Sequence, residues 1–219
     1  MRAGERLAER DHVLVALDGP VVELPSTRST ADRLRLLLAE DRLPRKVAST
    51  EDPLVVLAHA GVIGPATERA VYAQWRRIDH EVLAEAAVVP GVRDAFATLA
   101  GAGVRITVVG ALDVTAIRAF LVLHGLDVHV SRLAGRAERD HDLLPPAPDL
   151  ITSAIRAGAL PASSCVVVAS SPADLKAARA AGVDAVSYDT TTWSNVLPTC
   201  GVWSTARRPP GPRSHRRSP

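Results

Sequence analysis

The chain alternates between short continuous apolar runs and longer stretches in which apolar residues recur every three or four positions. The runs Val13–Leu17, Val104–Val109, Leu126–Val130, Cys165–Ala169 and Asp184–Tyr188 are bounded by turn residues, a pattern that predicts strands buried in a parallel sheet. Helical spacing predicts Ala31–Glu40, capped by Ser29 or Thr30, with Leu34, Leu37 and Leu38 on one face. Pro53 opens a helix over Leu54–His59 that Gly61 closes, and Ala66–Ala87 carries Val71, Trp75, Ile78, Val82 and Leu83 along one side. Further helices are expected at Val92–Ala100, at Val114–His124 with Asp113 as cap, from Asp149-Leu150 to Gly158, and at Leu175–Ala181. Ala134–Leu144 is polar and reads as a loop, and Ser194–Thr199 as a last turn.

Strand and helix therefore alternate, except between the first and second strands, where three helices follow one another. The expectation is an α/β fold, a parallel sheet flanked by helices, with a small helical insertion. A chain of 219 residues is long enough for one such domain plus an insertion. Aromatic residues make up only 3% of it, so Ala, Val and Leu must build the core.

The formal charge of +2 conceals an asymmetry. The tail Ser204–Pro219 holds Arg207, Arg208, Arg213, Arg216 and Arg217 and no acid, which leaves −3 for the rest. The body thus makes no general case for nucleic-acid binding. The tail, rich in Pro, Ser and Arg, is expected to be disordered and to make at most weak contacts with polyanions, since no aromatic residue interleaves its arginines. Cys165 reads as a small buried hydrophobe, and with Cys200 it forms neither a disulfide framework nor a metal-ligand spacing. No apolar run approaches the roughly 18 residues needed to span a membrane. Residues 1–11 are too charged for a secretory signal, and a cytoplasmic protein is expected.

The chemistry centres on His12–Glu23, where the first strand ends at Asp18-Gly19-Pro20, since open α/β sheets bind ligands at the carboxyl ends of their strands. This segment resembles the first motif of the haloacid dehalogenase-like (HAD) phosphatases. The likeness continues through Pro90-Gly91-Val92, the strand Val104–Val109, Pro145-Pro146-Ala147-Pro148-Asp149-Leu150, and Val166 to Val183, so that it spans roughly residues 12–190. It is closest to the phosphoglycolate phosphatase-like group with a helical cap. The resemblance implies a Rossmann-like core from residues 1–20 and 88–200, a cap from 21–87, and a basic tail from 201–219.

The same resemblance names four active-site positions, and the residues at each can be weighed chemically. The family's attacking, metal-binding aspartate falls on Ala16, while the acid–base aspartate two residues on is Asp18, followed by Gly19. A methyl group can neither attack phosphorus nor bind a cation; Asp18 also suits an ordinary Asp-Gly turn. The hydroxyl that would bond phosphoryl oxygens falls on Gly110, which offers only a backbone N–H; Thr107 lies within the strand. The neutralising lysine falls on Pro145, with Arg132, Arg136 and Arg139 nearby in sequence. The acidic motif reads Ser170-Ser171-Pro172-Ala173-Asp174, with Ser170 at the metal-binding position and Asp174 retained near a helix start.

Magnesium takes six oxygens, commonly including one or two carboxylates, and both family side-chain ligands are absent; Asp18 would supply mainly its carbonyl. No cofactor is expected. The expected function is that of a HAD-fold pseudophosphatase, a binding or regulatory protein whose partner is a small phosphorylated metabolite or another protein. The alternative is a HAD phosphatase for a small phosphorylated metabolite with rearranged residues, Asp18 acting as base with His124, His129 or His141 recruited. Trp75 and Trp193 fit either a pocket or the core.

Overall fold

The computed structural model describes residues 7, 9–38, 43–137, 149–159 and 161–196. Five strands form one sheet: β1 (His12–Ala16), β2 (Arg105–Asp113), β3 (Arg132–Arg136), β4 (Cys165–Ala169) and β5 (Asp184–Ser187). Their order is β3-β2-β1-β4-β5 and every pairing is parallel. The α/β expectation holds.

The pleat explains the apolar runs. Val13, Val15 and Leu17 project to one face of the sheet and Leu14 and Ala16 to the other. The first face meets α5 (Val92–Gly101) and α6 (Val114–Leu123) through Phe96, Leu99, Ile117 and Phe120. The second meets α7 (Asp149–Gly158) and α8 (Pro172–Ala180) through Ile151, Ala154, Ala177 and Ala178. With both faces covered, alternation by polarity disappears from the sequence and a continuous run remains. His12 fits this interior because its Nε2 lies 2.7 Å from Thr107 Oγ1, and burial holds its pKa below the ordinary value. Cys165 beside it is fully buried, as its sequence suggested.

Between β1 and α5 the chain builds a separate helical layer: α1 (Arg28–Arg35), α2 (Arg45–Ala48), α3 (Pro53–Ile63) and α4 (Pro65–Glu85). Leu34, Val56, Leu57, Val71, Trp75 and Ile78 give it a core of its own. The boundaries depart from expectation for local reasons. Asp52 caps α3 by accepting the Leu54 N–H at 2.9 Å, so the helix starts at Pro53; it runs past Gly61 to Gly64, whose φ of 155° ends it. α1 begins before Ser29 and Thr30, which therefore lie inside it; Thr27 at the cap position donates its hydroxyl to the Glu51 carbonyl at 2.8 Å instead.

The expected strand Leu126–Val130 is a correction. Leu126 is buried but Val128 is 75% exposed, and Asp127–His129 forms a 3-10 turn after α6. The edge strand begins only at Arg132, paired with Thr107, so Ala134–Arg136, expected in a loop, belong to the sheet. β2 likewise continues beyond Val109 to Asp113 with an irregularity in its register to β3. Residues 138–148, 197–219 and the expectations that fall on them, including Pro145, Arg139, His141, Cys200 and the basic tail, lie outside the described residues.

Candidate functional site

The carboxyl ends of β1 and β4 bring together four of the residues singled out in the sequence. Ala16 is the last residue of β1 and is 5% exposed, its methyl group within the second-face core beside Val109 and Ala169. Asp18 follows at the surface, and its Oδ1 accepts the Leu24 N–H at 3.1 Å across the turn. Gly19 has φ 88°, and its N–H donates to the Val22 carbonyl at 2.8 Å. A side chain at Gly19 would collide with Ser170, so glycine here serves a close approach.

Ser170 uses that approach. Its Oγ donates to the Asp18 carbonyl at 3.1 Å and thus stitches the end of β4 to the turn after β1. Ser171 caps α8: its Oγ accepts the Asp174 N–H at 3.0 Å and donates to Asp174 Oδ2 at 2.6 Å. Partial burial raises the Asp174 carboxyl above the usual range, against the pull of the Ser171 hydroxyl, and the charge of Asp18 adds to the rise. Desolvation likewise raises Asp18, opposed by the Leu24 and Gly19 N–H groups.

Gly110 does not join this group. It lies within β2, where an added Cβ would stand 3.0 Å from Leu17 Cβ and 3.3 Å from Ile117 Cδ1. Its role is packing. Arg136 does not approach Asp18 either: it is 3% exposed and turns to the helical layer, while Arg132 begins the edge strand. His124 stacks on Phe120 at 4.5 Å between centroids, and among the described residues neither it nor His129 hydrogen-bonds Asp18. Trp193 belongs to the core, its ring edge-on to Phe96 and its Nε1 donating to the Pro20 carbonyl at 2.7 Å.

The donor set at this mouth does not fit magnesium. Ala16 has no oxygen to offer, the Ser170 hydroxyl is already given to the Asp18 carbonyl, and the Asp18 and Asp174 carboxylates face backbone N–H and hydroxyl donors. Among the described residues no three His, Cys, Asp or Glu side chains group as metal ligands.

A second constellation lies where α4 meets the ends of β2 and β3, and the sequence reading missed it. Asp79 is 5% exposed; its Oδ2 accepts the Asp113 N–H at 2.9 Å and a bond from Arg136 Nη2. The Arg136 guanidinium lies 3.8 Å from the Trp75 ring centroid, a cation–π contact, and its Nε donates to the Ala111 carbonyl. Asp113 caps α6 through the Thr115 and Ala116 N–H groups and accepts the Arg76 Nε at 2.7 Å. Burial raises Asp79 to about 6 despite Arg136. Burial alone would raise Asp113 too, but the Thr115 hydroxyl, Arg76 and the Thr115 N–H together hold it below the usual range. One signal was legible: Asp79 follows Trp75 by four positions and so falls on the apolar stripe of α4, where a carboxylate needs a partner. Beside this junction is a cavity of about 170 Å³ between the helical layer and the core.

Residues 57–188 match the family model of haloacid dehalogenase-like hydrolases. Among curated proteins none matches the chain in sequence. Solved structures resemble its fold at low identity. A HAD-superfamily hydrolase of subfamily IA from Geobacter sulfurreducens is 23% identical, with a TM-score of 0.54 over 82% of this chain and 87% of its own. CbbY from Rhodobacter sphaeroides, solved with phosphate, is 21% identical, with a TM-score of 0.58 over 80% and 84%. A phosphoglycolate phosphatase-like protein from Lactobacillus plantarum is 13% identical, with a TM-score of 0.59 over 87% and 89%.

Proposed function

The chain belongs to the haloacid dehalogenase-like hydrolase family, and we propose that within it this protein is a pseudophosphatase, a cytoplasmic binding or regulatory protein rather than a catalyst of phosphoryl transfer. The observation that carries this reading is the hydrogen bond from Ser170 Oγ to the Asp18 carbonyl beside the methyl group of Ala16. At the positions where the family resemblance places an attacking carboxylate and two oxygen ligands, this chain has a hydrocarbon and a hydroxyl that donates a hydrogen bond to the Asp18 carbonyl. Losing a single preorganised electrostatic donor typically costs about 10²–10³ in rate, and here nucleophile and metal-binding carboxylate are both replaced.

The raised carboxyls of Asp18 and Asp174 do not supply a substitute. Each is held by its own turn or cap, and among the described residues neither has a histidine or cation bonded to it. In this reading the layer α1–α4 serves as a cap whose contacts select a ligand, and the sheet mouth is a closed structural seam. The partner is a small molecule held under that layer or a protein docked on it.

The test is turnover of p-nitrophenyl phosphate and a panel of small phosphate esters with millimolar magnesium. The expected result is no release above that of buffer. Robust turnover that disappears in Asp18→Asn overturns the reading in favour of a rearranged hydrolase.

A further inference from the structure

The cavity under the helical layer has a chemical character of its own. Trp75, Asp79 and Val82 from α4 and Ala111 and Leu112 from the extension of β2 line it. Leu24 and Leu54 add apolar surface, and Thr27 and Thr30 also line the space. Among the described residues of the lining the charged ones are both acids. Asp52 is turned to the Leu54 N–H as the cap of α3, and Asp79 is engaged by Arg136 and the Asp113 N–H. Among the described residues that line it, none is Lys, Arg or His.

Volume and charge then restrict the occupant. About 170 Å³ is close to the roughly 150 Å³ of an apolar cavity that accepts a benzene-sized molecule. An anion entering this space would meet two carboxylates with, among the described residues of the lining, no cation to compensate, which is costly in a site of low polarity. The nearby guanidinium of Arg136 is already committed to Asp79 and stacked on Trp75. A hydrocarbon body can rest against Trp75, Val82 and Leu112, while one hydroxyl or amide reaches the threonines.

We infer that the cavity between the helical layer and the sheet binds a small uncharged ligand, mainly apolar with one polar group, and discriminates against phosphate esters. The inference rests on the proposed reading of this chain as a binding protein and names the class of ligand it would hold. It departs from the phosphorylated metabolite that the family resemblance implied.

Benzyl alcohol and benzyl phosphate make a matched pair of probes, alike except for the phosphate. Titration calorimetry and ligand-observed NMR on the full chain should give a dissociation constant for benzyl alcohol at least tenfold below that for benzyl phosphate. Val82→Phe fills the α4 wall and should weaken benzyl alcohol at least tenfold. Ala111→Phe narrows the space from an exposed position that tolerates bulk, and should do the same even if Val82→Phe does not fold. The inference is overturned if benzyl phosphate binds as tightly as the alcohol, if the alcohol does not bind, or if Ala111→Phe leaves its binding unchanged. Release of phosphate from benzyl phosphate is measured alongside: turnover sinks the non-catalytic reading alone, whereas a reversed binding preference without turnover sinks the cavity inference alone.

Discussion

Asp18 and Asp174 at the mouth of the sheet, and Asp79 and Asp113 where α4 meets the core, are two pairs of carboxylates in very different company. At the mouth the partners are neutral: backbone N–H groups for Asp18 and the Ser171 hydroxyl for Asp174. At the junction each acid has a guanidinium, Arg136 for Asp79 and Arg76 for Asp113. Arg136 and Arg76 thus hold one layer of the molecule on another, at a place where a charge left alone would be costly. In a phosphoryl-transfer site the positive charge would instead face the substrate. The contrast teaches that charge in this fold has a structural address, and each prediction below attacks one side of it.

The largest effect is expected at the junction. Arg136→Met leaves Asp79 buried without its cation and should cost about 3–5 kcal/mol in urea denaturation. Hydrogen exchange should show α4 losing protection first. The double variant Arg136→Met with Asp79→Leu should recover most of that loss, because the unpaired charge, rather than the missing pair, is what destabilises. A double variant as unstable as the single one would break the comparison.

The next effect is a pH dependence: the two junction acids shift in opposite directions, whereas both mouth acids shift upward. The Asp79 carboxyl is raised from 3.8 to about 6, so its protonated form favours the folded chain. Its contribution is complete below the ordinary aspartate value and disappears as pH rises through about 6. Asp113 is shifted downward and acts with the opposite sign: its contribution is present above the ordinary value and lost as pH falls below it. Both are fully available together only near pH 4, where stability from this junction should peak, and the Asp79 share then declines up to about pH 6. The Asp79 share is on the order of 2–3 kcal/mol at one pKa unit per 1.36 kcal/mol. Asp79→Asn should flatten the decline in urea midpoint between about pH 4 and 6; an unchanged slope would assign the titration elsewhere.

The smallest effect belongs to the mouth. Ser170→Ala removes one bond to the Asp18 carbonyl, and Asp18→Ala one bond to the Leu24 N–H, each worth about 0.5–1.5 kcal/mol. If either costs as much as Arg136→Met, the mouth carries more of the structure than its neutral partners suggest.

The sheet was legible because β1 and β4 are buried on both faces and leave uninterrupted apolar runs in the sequence. β3 was not, since Arg132, Gly135 and Arg136 read as loop chemistry. Gly135 sits so close to α6 that a Cβ would stand 3.0 Å from Val114 Cα, and Arg136 is buried only because Asp79 waits 57 positions away in sequence. The residues of the mouth followed from the family spacing, with Asp18, Ser170 and Asp174 converging as the spacing implied. Gly110 did not follow, because β2 runs past the point where its apolar run ends and carries that glycine in the strand. Local periodicity registers a strand or a cap. It does not register which distant side chain will neutralise a buried charge.

Gly110 also sets a constraint on engineering this strand. A serine placed at that position would bring its Cβ to 3.0 Å from that of Leu17, itself fully enclosed, so Leu17 must yield by a few tenths of an ångström to accommodate it. A hydroxyl at position 110 and a smaller side chain at position 17 are therefore coupled changes, whose separate effects on stability should not add.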